Sequence, residues 1–184
     1  FVEYLKKNLL PKNPTAVSDA ELHAWLEEPG IPSFAPKARS RGFAVVDTAR
    51  IAWLGSEQLP SNQVTSQWTT QEWVRFIDGL GKTVPVAKLE QLDKGYHFTG
   101  TPNGEIAMRW YPLAIRSGYT QAQPAAGEFI QKVGRRKLIL PIYAELLKTP
   151  EGLAFAKEVF ARAKPGYHPI TTASVADMIA KEIG

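Results

Sequence analysis

The chain has 184 residues, 44% of them hydrophobic and 22% charged, with 22 Lys and Arg against 18 Asp and Glu for a formal net charge of +4. A single domain of this length buries roughly 70% of its unfolded surface, so composition excludes both wholesale disorder and any need for covalent staples. With no Cys there is no disulfide framework, thiolate metal site or thiol nucleophile, and no apolar run reaches the ~20 residues needed to span a bilayer.

The opening Phe1-Val2-Glu3-Tyr4-Leu5-Lys6-Lys7 has neither an initiator Met nor the basic-then-apolar order of a signal peptide, and reads as a chain that begins inside a helix. Ser18-Asp19-Ala20-Glu21 fits a capping box, in which a hydroxyl and a carboxylate three residues apart satisfy free N–H groups at a helix start. Trp25 falls on the apolar face of the helix that follows. Glu28 to Arg41 and Leu59 to Gln67, rich in Pro, Ser, Asn and Gln, read as loops. Thr69-Thr70-Gln71-Glu72 is a second capping box. After it Trp73, Phe76, Ile77 and Leu80 form one apolar stripe closed by Gly81. Pro85 suits a first helical position, with Val86, Leu89 and Leu92 facing one way until Gly95.

From Asn103 the pattern is regular. Ile106, Trp110 and Leu113 share a face, although Pro112 should kink or shorten that helix. After a break at Gly118-Tyr119, Ala122, Ala126, Phe129, Ile130 and Val133 line up. Thr149-Pro150-Glu151 supplies an N-cap, a first-turn proline and an acidic first turn, after which Leu153, Ala156, Phe160 and Ala163 lie on one side. A last helix after Thr171-Thr172 carries Val175, Met178, Ile179 and Ile183. No strand alternation is convincing. Helices of roughly 10 to 15 residues joined by short Gly/Pro turns predict an all-α layered array of antiparallel helix pairs.

Few residues offer chemistry. His23, His97 and His168 lie too far apart in sequence for a local metal motif, and the His23–Glu27 pair at i, i+4 lacks a third zinc ligand. His168, inside Pro165-Gly166-Tyr167-His168-Pro169, reads as a packed or hydrogen-bonded turn residue. No G-x-S-x-G, Gly-rich phosphate loop or H-E-x-x-H occurs, so a self-contained hydrolase is hard to build. The five tryptophans, at 25, 53, 68, 73 and 110, are read as core. One cluster remains. Arg135, Arg136 and Lys137 follow Gly134 and stand where the next helix begins, at an end that carries about half a positive charge. They form either a solvated turn or an anion site, with Arg135 and Lys137 gripping one carboxylate while Arg136 points elsewhere. Cations elsewhere are dispersed, so nucleic acid is not an expected partner, and with no apolar run long enough to span a bilayer neither is a membrane.

Four blocks, in order, carry a resemblance: Ala24-Trp25-Leu26-Glu27-Glu28-Pro29-Gly30-Ile31-Pro32, Asn103-Gly104-Glu105-Ile106-Ala107-Met108-Arg109-Trp110, Gly134-Arg135-Arg136-Lys137 and His168-Pro169-Ile170-Thr171. Together they resemble the C-terminal domain of leukotriene A4 hydrolase and its bacterial aminopeptidase relatives. The resemblance implies an armadillo/HEAT-like α-α superhelical array at the end of a zinc aminopeptidase. Residues 1–28 would be the end of the preceding catalytic domain and linker helices, and 29–184 the C-terminal helical-repeat domain. It implies that the catalytic zinc is held by the parent enzyme outside this segment, which binds no metal and is inactive alone. It also implies a short peptide as substrate, with Arg135 and Lys137 anchoring its carboxylate. Arg136 departs by adding a charge between the two anchors. The cytoplasm is preferred over the periplasm as compartment, which Cys content leaves open. The rival expectations are a free-standing helical-repeat adaptor and weak nucleic-acid binding through Arg135 to Lys137, the latter with steep salt dependence.

Overall fold

The computed structural model describes residues 1–56 and 58–182, so Ile183 lies outside the described residues. The chain divides into two compact units, Phe1–Arg39 and Ser40–Gly184, and the division falls inside the stretch read as a loop. In the first unit α1 (Val2–Tyr4) continues as a π-helical stretch, Leu5–Leu9, and a 3-10 turn, Leu10–Lys12, before α2 (Asp19–Leu26). The Ser18 capping box forms: the Ser18 hydroxyl accepts the Glu21 N–H, and the Glu21 carboxylate takes the Ser18 N–H at 2.7 Å. Helix α2 buries Leu22 and Ala24 only. Trp25 is therefore not core, contrary to its expected role: it is 49% exposed and meets Phe34 edge-on at 6.3 Å.

The second unit holds α3 (Arg41–Gly55), α4 (Asn62–Thr65), α5 (Thr70–Asp78), α6 (Val86–Tyr96), α7 (Gly104–Arg116), α8 (Gln123–Lys132), α9 (Arg136–Leu146), α10 (Pro150–Ala163) and α11 (Pro169–Lys181). No strand occurs among the described residues, and the all-α expectation stands. The Thr69 capping box forms as well. Helix α3 is unassigned in the sequence reading, and α4 lies within the stretch read as a loop. Helix α7 is not shortened at Pro112 but runs on to Arg116, because Trp110, Tyr111, Pro112, Leu113 and Ala114 are all buried and tertiary packing overrides the missing N–H. Pro141 lies inside α9 in the same way. Helix α6 outlasts Gly95 and ends at His97, which takes the left-handed conformation (φ 54°) that a glycine usually supplies. Helix α11 begins at Pro169, ahead of Thr171.

The helices form two layers. Pairings α3–α5, α5–α7, α7–α9 and α9–α11 make one, and α8–α10 packs in the other. Side-chain pairs fix the direction of the first layer: an added Cβ on Gly42 would meet the Glu72 carboxylate, Asn103 Nδ2 donates to Thr70 Oγ1, Lys137 pairs with Glu105, and Thr171 Oγ1 donates to Gly134 O. Each contact joins the start of one helix to the start of the next. Helices α3, α5, α7, α9 and α11 thus run parallel with their N-termini along one edge. An aromatic cluster built on Trp53, Trp68, Trp73, Phe76, Phe98 and Trp110 fills the first half of the interior. Lys88 closes the end of α3 by donating to the Trp53, Leu54 and Ser56 carbonyls.

Candidate functional site

The cationic turn sits on the edge of helix starts. Helix α8 ends at Lys132, Gly134 crosses between the layers, and Arg135 is the residue before α9, in extended conformation and with no side-chain capping bond. Two contacts fix this crossing. Gly134 O accepts from Thr171 Oγ1 at 3.1 Å, and a Cβ on Gly134 would stand 3.4 Å from the Tyr167 ring. Tyr167 is itself tied down, its buried hydroxyl donating to Ile130 O and meeting the Tyr143 hydroxyl at 3.3 Å.

The three cations are not equivalent. The Lys137 ammonium is held by Glu105 of α7 at 2.6 Å, and Glu105 is shared with Arg109 at 3.3 Å, which in turn reaches Asp78 of α5 at 3.1 Å. Lys137 donating to the Glu105 carboxyl, with Arg109 beside it, holds that carboxyl below the usual carboxylate range. Asp78, Arg109, Glu105 and Lys137 form a row of alternating sign with no net charge. Arg135 and Arg136 are exposed and have no hydrogen-bond or ion-pair partner among the described residues. The free charge of the turn therefore belongs to these two arginines, beside backbone N–H groups that a helix start leaves unpaired. Lys137 offers its remaining N–H groups from a side chain still 52% exposed. Glu105 carries no local sequence signal as a site residue, because its partner Lys137 lies 32 positions away.

A cleft of about 260 Å³ opens beside the turn, between Gly100–Pro102 and the last turn of α8. A larger one, about 430 Å³, lies at the other ends of α7 and α9. There Glu145 takes Arg116 at 3.4 Å and Lys148 at 2.8 Å, and the charge left over on its lining is the exposed Glu151 carboxylate, which would repel a carboxylate ligand.

Histidine makes no metal centre. His97 ends α6, and His168 Nδ1 accepts the Ile170 N–H at 3.2 Å, the turn role read from its Pro-flanked setting. Among the described residues no group of three or more His, Asp or Glu is placed to hold a metal ion, so the residues present do not fit zinc. No helix among the described residues is long and apolar enough to cross a membrane.

Residues 68–179 match the family model described as leukotriene A4 hydrolase, C-terminal. Aminopeptidase B of Mus musculus is 24% identical over 177 residues, covering 91% of this chain and 27% of that protein. Leucine aminopeptidase 2 of Lodderomyces elongisporus is 29% identical over 198 residues, covering 95% of this chain and 30% of that protein. Leukotriene A-4 hydrolase of Xenopus laevis is 27% identical over 159 residues, covering 83% and 26% respectively. The chain thus spans between a quarter and a third of these relatives' length. The match covers more than half of the chain, including the whole edge from the Thr69 cap to the start of α11, and the chain belongs to the leukotriene A4 hydrolase C-terminal domain family.

Proposed function

We propose that this chain is the C-terminal domain of a zinc aminopeptidase, forming one wall of its cleft and anchoring the free carboxylate of a short peptide. The observation that carries the reading is the Gly134-Arg135-Arg136-Lys137 turn: it matches the G-R-x-K pattern of the resembling family and keeps two arginines unpaired at a helix start. Relatives named aminopeptidase B and leucine aminopeptidase 2 support the activity. The zinc supplies an activated water to the reaction. Its ligands lie in the catalytic part of the same polypeptide, outside this segment, which is inactive alone. Residues 1–28 close that preceding domain and lead into the helical array.

In this reading the turn's own residues act by positioning. Arg135 offers a two-pronged fork to the carboxylate, and Lys137, steadied by Glu105, adds a point charge. Fixing the far end of a peptide orients its first carbonyl and favours peptides short enough to reach both ends. The test is Arg135→Ala with Lys137→Ala in the full polypeptide. Loss of an ionic anchor of this kind costs about 2 to 5 kcal/mol, so kcat/KM for a tripeptide falls at least about 30-fold while its amide-capped analogue is little affected. Equal losses for both substrates would remove the anchor from the account.

A further inference from the structure

The cleft beside the turn has walls of Thr101, Pro102, Tyr111, Ala125, Phe129 and Val133. Its floor is rigid: Tyr111 is 1% exposed, and its hydroxyl accepts the Gly100 N–H at 3.0 Å, pinning the loop that makes one wall. At its rim Glu128 and Lys132 lie 3.5 Å apart, an exposed pair that cancels its own charge. The interior is thus mainly apolar, with Thr101 its polar side chain, and the rim neutral, with about 260 Å³ of space, room for one Leu- or Phe-sized side chain. The carboxylate turn is adjacent on both sides. Val133 is two residues from Arg135, a Cα separation of at most about 7 Å, and Pro102 leads directly into the Asn103 cap and Glu105.

We propose that this cleft receives the side chain of the peptide's C-terminal residue, so that the domain selects peptides ending in an apolar residue. The inference rests on the carboxylate-anchor reading, because only a carboxylate held at Arg135 brings that side chain to the cleft mouth. A peptide ending in Gly uses the charge alone. One ending in Leu also buries a branched side chain against Pro102, Phe129 and Val133. Burial of such a side chain corresponds to about tenfold in affinity.

The experiment is an NMR titration of the 184-residue chain with N-acetyl-leucine, N-acetylglycine and N-acetyl-leucinamide. N-acetyl-leucine is expected to shift the amides of Thr101, Val133 and Arg135 and to bind about tenfold tighter than N-acetylglycine, with the amide not binding. Ala125→Leu fills the cleft from α8, and Thr101→Leu fills it from the loop. Either variant, if its other amides keep their wild-type positions, should bring N-acetyl-leucine down to the N-acetylglycine level and leave N-acetylglycine unchanged. Equal binding of the two acids, or no response to the filled cleft, overturns the side-chain pocket while leaving the anchor intact. Binding of N-acetyl-leucinamide as tightly as the acid, insensitive to Arg135→Ala, refutes the anchor and with it the C-terminal side-chain pocket that rests on it. Absence of any shift with all three ligands refutes both.

Discussion

Lys137→Ala should injure carboxylate recognition in two ways, and the second is reversible. The substitution removes one donor, and it also strips Glu105 of the ammonium held 2.6 Å from it. Arg109 remains on Glu105 but is divided with Asp78, so a carboxylate 31% exposed is left facing the site. A peptide carboxylate seated on the turn would stand roughly 5 to 6 Å from it, and two unit charges at that separation repel by about 0.7 kcal/mol in water and about 3 kcal/mol at an effective dielectric of 20. The edge is partly exposed, so the lower end applies, about 1 kcal/mol, or a factor of about five. Glu105→Gln in the Lys137→Ala background should therefore restore about fivefold of the lost kcat/KM for a free-acid tripeptide, and none for its amide-capped analogue. Glu105→Gln alone weakens an acidic residue favoured in the first turn of α7 by under about 1 kcal/mol, so the fold persists. The double-mutant cycle is read from initial rates of the full polypeptide at constant salt. Identical kcat/KM for Lys137→Ala and the double variant would show that Glu105 does not sense the substrate, and the charge arithmetic of the turn would fail.

Gly152→Ala drives a Cβ into the Leu146 carbonyl oxygen, a backbone atom that cannot swing aside, so the α9–α10 corner must open. The expected loss is about 2 to 4 kcal/mol with a clear fall in Tm by circular dichroism, and a variant within about half a kcal/mol of wild type would contradict it. Arg75 and Arg50 hold the Asp47 carboxyl down to about 2 from 3.8. Its folded value being the lower one, its contribution is complete above pH 3.8 and drains away as pH falls toward about 2. Asp47→Asn should flatten the urea midpoint against pH in that window, and parallel curves for the two proteins would count against the pair. Tyr167→Phe leaves the buried Ile130 carbonyl without its hydroxyl donor, and should cost about 1 to 3 kcal/mol of stability while N-acetyl-leucine still binds. Loss of binding with unchanged stability would mean that Tyr167 acts on the ligand rather than on the fold.

Much of the fold was legible because its signals are local. Both capping boxes form, and the buried Phe76, Ile77 and Leu80, Ile106, Trp110 and Leu113, and Ala126 and Ile130 are the stripes that the helical period marks. Helix α3 escaped because its apolar residues point all ways. Val46 and Trp53 are fully buried, but Val45, Ile51 and Leu54 are 50%, 65% and 40% exposed, so no single stripe exists to be seen. The Ser40 cap, whose hydroxyl accepts the Phe43 N–H, was the available signal. At Pro112, where a kink or a shortened helix is expected, the shortening does not occur, since a local rule about a missing N–H says nothing of the packing on both sides of it. At the site, the sequence marked Arg135 and Lys137 but not their difference. That difference arises only where α7 and α9 lie side by side and bring Glu105 to Lys137.

Arg135 and Arg136 stand where a helix least favours them. A cation at an N-terminus is unfavourable by about 0.3 to 1 kcal/mol, and Arg135 caps nothing in return. The sequence relieves one of the three charges through Glu105, itself welcome in the first turn of α7, and leaves the other two unrelieved. The layer makes this tension larger than a single helix would. Five parallel helices bring their positive poles to the same edge, from the Ser40 cap through Thr69, Asn103 and Arg135 to His168. The returning helices α8 and α10 end at that edge with the opposite sign, but a layer away, roughly 8 to 10 Å between axes, so their offset is incomplete. An anion reverses every unfavourable term at once. It is attracted by the poles, by the two free guanidinium groups and by the unpaired N–H groups at the start of α9. Orientation of the whole layer, and not the cluster of cations alone, is what would make a small carboxylate the preferred occupant of this turn.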